Sequence, residues 1–258
     1  MTVHRALEGG VGSIIIDRPD VRNAIDPATL GEMRVALREL VADGARALVL
    51  GGKGGFCAGA DLALVRQALA GDAASVLGPM VDELHAFLRE LRAQPIPSVA
   101  ALEGPAVGAG MGLALSADLR VAARGTLLIP GYFGIGASPD GGVSYFLTRA
   151  LGGARATSLI VRNAPLDVEA LERLGLVEQV VDTGGALEAA AALAAQVAGA
   201  PPAALLYTRG LIDRAPTQGL DAHLDDERAG VAALWPAADF REGVTAFLER
   251  RKPVFTGS

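Results

Sequence analysis

The sequence predicts an α/β fold, and three observations carry that prediction. Short apolar runs bounded by Gly or Pro recur along the first half, helical apolar spacing fills the gaps between them, and glycine is frequent at 33 residues while aromatic residues make up only 4%. A continuous apolar run between turn residues suits a strand covered on both faces, and strands alternating with helices suit a parallel sheet. The glycines, joined by 14 prolines, imply many tight turns and close backbone approaches.

Taken in order, Ser13 to Ile16, Ala47 to Leu50 and Ser98 to Leu102 read as strands. Between the first two, Asp26-Pro27 offers an N-cap followed by proline at the first helical position. Leu30, Met33, Leu37, Leu40 and Val41 continue this helix to a stop at Gly44. A second helix covers Val81 to Leu91, where Leu84, Leu88 and Leu91 share one stripe, and Pro95-Ile96-Pro97 ends it. From Ala154 onward the strand signals fade and helices are expected at 154–162, 167–174, 186–198, about 221–234 and 239–251. No internal repeat of fixed period emerges. A composition shift near residue 190 divides the chain into a core at 1–190 and a helical C-terminal region at 191–258.

Lys and Arg number 23 against 29 Asp and Glu, a net charge of −6 with no long block of either sign, which argues against a nucleic-acid or lipid-facing patch. Cys57 is the single cysteine, so no intrachain disulfide forms, and three histidines without cysteine partners offer no metal-ligand cluster. The longest uncharged stretch, 189–208, has 20 residues but is interrupted by Gln196, Gly199 and Pro201-Pro202. It reads as an Ala-rich helix followed by a break, not as a membrane span. The N-terminus lacks the apolar core and cleavage site of a secretory signal, so a reducing, cytoplasmic setting is expected.

Two glycine-rich segments follow expected strands: Gly51 to Leu62 and Glu103 to Gly112. Neither fits a nucleotide pattern, because Lys53 is followed by Gly54 instead of Ser or Thr, and Gly108-Ala109-Gly110 lacks the third small residue of the dinucleotide fingerprint at the right offset. Both lead small-residue backbone into a helix, where unpaired N–H groups and the helix dipole stabilise a negative oxygen. Singly, each is a tight turn. Together, two such N–H groups make an oxyanion hole.

These segments, with others in the same order, resemble the crotonase family, the enoyl-CoA hydratase/isomerase superfamily. The resemblance runs over nearly the whole chain, through Asp17-Arg18-Pro19 with Arg22-Asn23-Ala24, Phe56 to Leu62, Gly104 to Gly110, Gly136 to Gly142 and Gly175-Leu176-Val177. It implies a crotonase-like core of stacked ββα turns in a spiral, with a helical C-terminal trimerisation region and assembly as a homotrimer or a dimer of trimers. It also implies an acyl-CoA thioester substrate, with the N–H groups of Ala60 and Ala109 as oxyanion donors. Substrate contacts are implied from Arg22, Ala24, Ala58, Asp61, Leu62, Gly108 and Tyr132, and Arg22, Lys252 and Phe255 are expected on the CoA nucleotide. Asp61 also reads as a cap or support for its loop, and exposed Arg and Lys are commonly just solvated.

The departures select among reactions. Family hydratases resemble one another in carrying two glutamates, and the aligned positions here are Gly112 and Tyr132. Adding water to an enoyl double bond needs a base for the water and an acid for the α-carbon, so hydration is disfavoured. Asp140, in Ser138-Pro139-Asp140-Gly141-Gly142, is the remaining carboxylate in register with a catalytic position of other branches. Its alternative reading is a helix N-cap. The expectation is an acyl-CoA isomerase that shifts a double bond or rearranges a ring-derived acyl group, with Asp140 as proton shuttle and no metal or redox cofactor. The alternatives are enoyl-CoA hydration, thioester hydrolysis, and a noncatalytic acyl-CoA-binding subunit. His85 reads as a surface residue, and Cys57 as a small buried filler.

Overall fold

A computed structural model describes residues 2–257. Along the chain come β1 (Val3–Glu8), β2 (Val11–Ile16), α1 (Pro27–Ala42), β3 (Ala47–Gly52), α2 (Leu62–Leu69), α3 (Ala73–Ala93), β4 (Ser98–Leu102), β5 (Pro105–Val107) and α4 (Ala109–Ser116). They are followed by β6 (Leu119–Ala123), β7 (Leu127–Ile129), α5 (Val143–Leu151), α6 (Gly153–Val161), β8 (Leu166–Asp167), α7 (Val168–Arg173) and β9 (Gln179–Val181). Four helices finish the described chain: α8 (Ala186–Val197), α9 (Pro202–Arg214), α10 (Leu220–Leu234) and α11 (Ala238–Leu248).

The large sheet has six strands in the order β1-β2-β3-β4-β6-β9, antiparallel at β1–β2 and parallel beyond. A second layer holds β5-β7-β8 and is extended by isolated bridges from Ile25 to Ala60 and from Cys57 to Ala106. Strands β2, β3, β4 and β6 each lead into a short second-layer segment and then a helix, so the core is a succession of ββα turns. This is the repeat that the sequence concealed. Its units differ in length and in loop content, and only their stacking shows them to be equivalent.

Side-chain alternation divides the core. Leu48, Leu50, Ala100 and Leu102 face the main cluster, with α1, α3 and the second layer, whereas Ala47, Val49, Val99, Ala101, Val121 and Ala123 face α8. Helix α8 presents Ala186, Ala190 and Ala194 to them, all fully buried, and these small side chains let it lie close on the sheet. Residue 190 thus falls inside a helix that completes the sheet's second face. The Ala-rich stretch is sheet-covering, and no single helix among the described residues is long and apolar enough to cross a membrane. Helices α8 and α9 would be so only together, and they bend by 107°.

Helix α1 begins where the cap signal places it: Asp26 accepts from Thr29 N–H at 2.7 Å, with Pro27 behind it. The second expected helix is longer, since α3 starts at Ala73 and carries Pro79 inside it. Asp61 caps α2, the helix expected after the first glycine-rich loop, whereas β1, β5 to β9 and α9 were absent from the sequence reading; Pro202 opens α9 instead of merely breaking its predecessor. Helix α9 is tied to the core by Arg209, which is 8% exposed. Its guanidinium bonds Asp118, at 2.7 Å from Nε to Oδ1, and the carbonyls of Gln94 and Ile96. Burial alone would raise the Asp118 carboxyl, but the Arg209 bonds and charge, with Ser98, hold it below its ordinary value. Leaving one charge of such a buried pair unpartnered costs about 3–5 kcal/mol.

Candidate active site

The two glycine-rich loops meet because glycine lets their backbones touch. A Cβ on Gly59, at φ +89°, would lie 2.5 Å from the Val107 carbonyl oxygen, and one on Gly110 would lie 2.3 Å from that of Cys57. The contact is stitched by Val107 N–H donating to the Cys57 carbonyl at 3.0 Å. In the neighbouring bridge, Ile25 N–H donates to Gly59 and Asp61 N–H donates to Ile25, so the intervening Ala60 N–H points away from that strand. Ala109 is the first residue of α4, after Gly108 at φ 53°, and its N–H precedes the first intrahelical bond. Among the described residues neither N–H has a hydrogen-bond partner.

Both alanines line one small apolar pocket with Asp140, together with Ile25, Leu30, Met80, Val81 and Leu84. Its cavity volume is about 10 Å³. Asp140 is the one ionisable side chain on its wall, and with Val81 it also borders a wider cleft of about 1780 Å³, counting the open mouth, between α3 and α5. His85, Leu88, Arg89, Arg92, Tyr145 and Phe146 line that cleft. His85, expected at the surface, therefore faces the same space as Asp140. Its cleft position depends on how α3 packs against α5, for which a lone helical histidine carries no signal.

Asp140 is not a helix cap. Helix α5 begins three residues later, behind Gly142 at φ 76°, and has no side-chain cap. Instead, Tyr132 Oη donates to Asp140 Oδ1 at 2.7 Å and to the Asp140 carbonyl at 3.1 Å. Tyr132 is buried, and burial, followed by the neighbouring Asp140 charge, pushes its phenol well above the ordinary tyrosine value. It therefore stays a proton donor. Glu83, on α3 between the pocket residues Val81 and Leu84, does not line the pocket and accepts from Arg34 Nη1 at 2.6 Å.

Gly112 leaves no room for a side chain. A Cβ at this position would sit 2.3 Å from the Gly141 carbonyl oxygen, so α4 packs directly on the turn that carries Asp140. A side chain at position 112 and the Asp140 turn in its present place exclude one another.

The remaining expected residues divide. Gly108 and Ala58 flank the donors, and Ala24 is buried with its carbonyl accepting from Arg18 Nη1 at 2.5 Å. Asp61 caps α2, Oδ1 accepting from Ala63 N–H at 3.0 Å and from Leu64 N–H at 3.4 Å, while its Oδ2 meets Arg18 Nη2 at 3.1 Å. Both of its oxygens are held by the protein, so the carboxylate supports the loop. Leu62 is exposed and Arg22 is exposed at φ 54°, and neither lines the pocket. Lys252 and Phe255 are not brought to it either: Phe255 packs in an apolar groove with Phe240, Gly243 and Phe247, and Lys252 is exposed nearby in the chain.

Arg18 and Asn23, named from sequence only within a motif, hold the frame, and Cys57 is the buried filler it was expected to be. Arg18 joins the Ala24 carbonyl, Asp26 and Asp61, thereby fixing α1, α2 and the first donor loop together. Asn23, 1% exposed, accepts from Arg18 N–H at 2.8 Å and donates to the carbonyls of Lys53 and Gly55 at 3.2 and 2.7 Å. Cys57 fills a buried position where burial pushes its thiol up to about 12, so it is no nucleophile. Among the described residues no group of three or more His, Cys, Asp or Glu side chains could hold a metal ion.

The sequence profile of the enoyl-CoA hydratase/isomerase family matches residues 6–258. The chain is 35% identical to 1,2-epoxyphenylacetyl-CoA isomerase of Escherichia coli (strain K12), covering 97% of each chain. It is 33% identical to the enoyl-CoA isomerase/hydratase fer4 of Mycosarcoma maydis, over 96% of this chain and 93% of that one. The crystal structure of an enoyl-CoA hydratase from Polaromonas sp. JS666 superposes with a TM-score of 0.92 at 32% identity, covering 98% and 99%. Identities this close to one another do not choose between the two reactions; the side chains in the pocket have to.

Proposed function

The chain belongs to the enoyl-CoA hydratase/isomerase family, and from that membership we propose that it isomerises acyl-CoA thioesters, with Asp140 moving the proton. The observation that carries this reading is the composition of the pocket: two unpartnered backbone donors and one ionisable side chain on an otherwise apolar wall. The thioester oxygen sits between Ala60 N–H and Ala109 N–H. Asp140 removes a proton from the α-carbon of a 3-enoyl thioester, the charge moves onto the oxygen as a dienolate, and the same carboxylic acid returns the proton to the γ-carbon. Atoms and electrons balance without metal, redox group or water. Donors placed for charge that develops in the transition state each contribute about two to three orders of magnitude in rate.

A hydratase would need a second group to activate water, and the pocket wall offers Ile25, Leu30, Met80, Val81 and Leu84 there instead. The wide cleft beyond Asp140, flanked by Leu88, Tyr145 and Phe146, has room for a bulky or ring-bearing acyl group. The test is a panel of straight-chain and ring-bearing 3-enoyl-CoA thioesters in water enriched in oxygen-18. The expected result is 2-enoyl product without heavy oxygen. Incorporation of the label identifies a hydratase, release of free CoA a thioesterase, and tight binding with no turnover on any member a noncatalytic subunit.

Assembly through the C-terminal helices is part of the same reading. Trp235, Phe240, Phe247 and Leu248 are exposed there, Phe247 at 83%, beside the groove that holds Phe255. Apolar surface gathered in this way is commonly covered by another subunit. We expect a trimer or a dimer of trimers by light scattering at micromolar concentration, and a monomer would remove that part of the proposal. A buried free thiol in place of a disulfide suits a reducing, cytoplasmic setting.

A further inference from the structure

Asp140 has two carboxylate oxygens, and the structure treats them differently. Oδ1 is taken by the Tyr132 hydroxyl at 2.7 Å, and the same hydroxyl reaches the Asp140 backbone carbonyl at 3.1 Å. Oδ2 has no partner among the described residues, while the side chain as a whole borders the pocket of Ala60 and Ala109. We infer that Tyr132 is the positioning residue of this site: by binding side chain and main chain of Asp140 at once, it locks the carboxylate rotamer and leaves Oδ2 as the oxygen that exchanges protons with substrate. This rests on the isomerase reading and deepens it, because it supplies what holds a lone base that sits on a glycine-flanked turn.

Three observations support the assignment. The turn holds the Asp140 main chain, whose carbonyl accepts from Val143 N–H at 3.2 Å, but nothing within it holds the side chain, since Gly141 and Gly142 follow at φ +56° and +76° and α5 begins without a side-chain cap. Tyr132 is anchored independently of Asp140: it is 6% exposed, and its carbonyl accepts from the N–H groups of Ile135 and Ala137, both at 3.0 Å. The basic groups of the wide cleft do not perform this task. Arg92 is engaged by Asp213 at 2.7 Å, and the structure shows no hydrogen bond or ion pair from His85 or Arg89 to Asp140. Tyr132 also remains protonated, because burial and then the Asp140 charge oppose its ionisation. It is a fixed donor and takes no proton from the substrate.

The test is a double-mutant cycle on the full-length protein, read as deuterium uptake at the thioester α-carbon by mass spectrometry, with calorimetry of acetyl-CoA as the binding control. Tyr132→Phe keeps the ring in its site and removes one hydroxyl. We expect it to slow exchange about 10- to 100-fold, the scale for a catalytic group displaced by about an ångström, with acetyl-CoA affinity unchanged. In an Asp140→Asn background, followed over days so that a rate about four orders below wild type can be read, the same substitution should change the residual rate by less than about twofold, as for a residue that acts through Asp140. Equal losses in both backgrounds would make Tyr132 a packing residue and overturn the inference, as would a Tyr132→Phe variant that matches wild type. If wild type exchanges and Asp140→Asn does not, the isomerase reading stands whatever Tyr132 does. A wild type that exchanges nothing overturns that reading and this inference with it.

Discussion

Asp140→Asn is expected to bind acetyl-CoA as wild type does and to lose proton exchange at the thioester α-carbon by about three to four orders of magnitude, the upper range for removal of a general base. The size follows from the pocket, where Asp140 is the one ionisable side chain on a wall otherwise made of backbone and apolar groups. Asparagine preserves the shape, and its carbonyl oxygen still accepts from Tyr132 Oη in the place of Oδ1, now 2.7 Å away. The fold should therefore survive, and α5 loses nothing because its N-cap is Gly142. The amide accepts no proton at neutral pH, and the oxyanion donors alone move none. Deuterium uptake by mass spectrometry, beside the acetyl-CoA binding control, checks this. Exchange at the wild-type rate in the variant would send the search for a base to another residue.

Gly112→Glu is expected to lose the proposed isomerase activity without acquiring hydratase activity. A glutamate here is what the resemblance to the family's hydratases suggests for water addition. The Cβ it needs, however, would stand 2.3 Å from the Gly141 carbonyl oxygen, 3.0 Å from its carbon and 3.2 Å from its Cα. Either α4 retreats or the turn does, and the turn carries Asp140. Overpacking of this kind costs about 1–3 kcal/mol of stability, and displacement of the base by an ångström costs about two orders of magnitude in rate. Gly112→Ala separates the two causes, because it introduces the clash without the charge and should reproduce most of the loss. The measurements are denaturant midpoint, 3-enoyl-CoA isomerisation and oxygen-18 incorporation. A Gly112→Glu protein that is stable and hydrates would show that the turn yields without cost.

What was legible in the sequence follows from locality. The α1 start needs only Asp26, Pro27 and the stripe behind them, and β3 and β4 announce themselves as apolar runs buried on both faces. The two glycine-rich loops were legible as ordered motifs, and Asp140 stood out in its Ser138-Pro139-Asp140-Gly141-Gly142 turn. The helix expected from Val81 begins instead at Ala73, behind the Asp72 cap, and carries Pro79 inside it. Helix α9 was hidden because Pro202 reads equally as the stop of one helix and the first residue of another.

The sequence by itself determined the fold class and the family, and it marked the two glycine loops and Asp140 as candidates, since each rests on residue types at short, ordered spacing. The tertiary structure alone decided that Ala60 meets Ala109, that Gly112 gives way to the Asp140 turn, that Tyr132 rather than a cap holds Asp140, and that His85 faces the cleft while Lys252 and Phe255 do not line the pocket. Those are contacts between segments distant in the chain or folded back through left-handed turns such as Gly136, at φ 70°. Their existence depends on a few tenths of an ångström in packing, and residue order does not encode distances of that size until the chain has closed on itself.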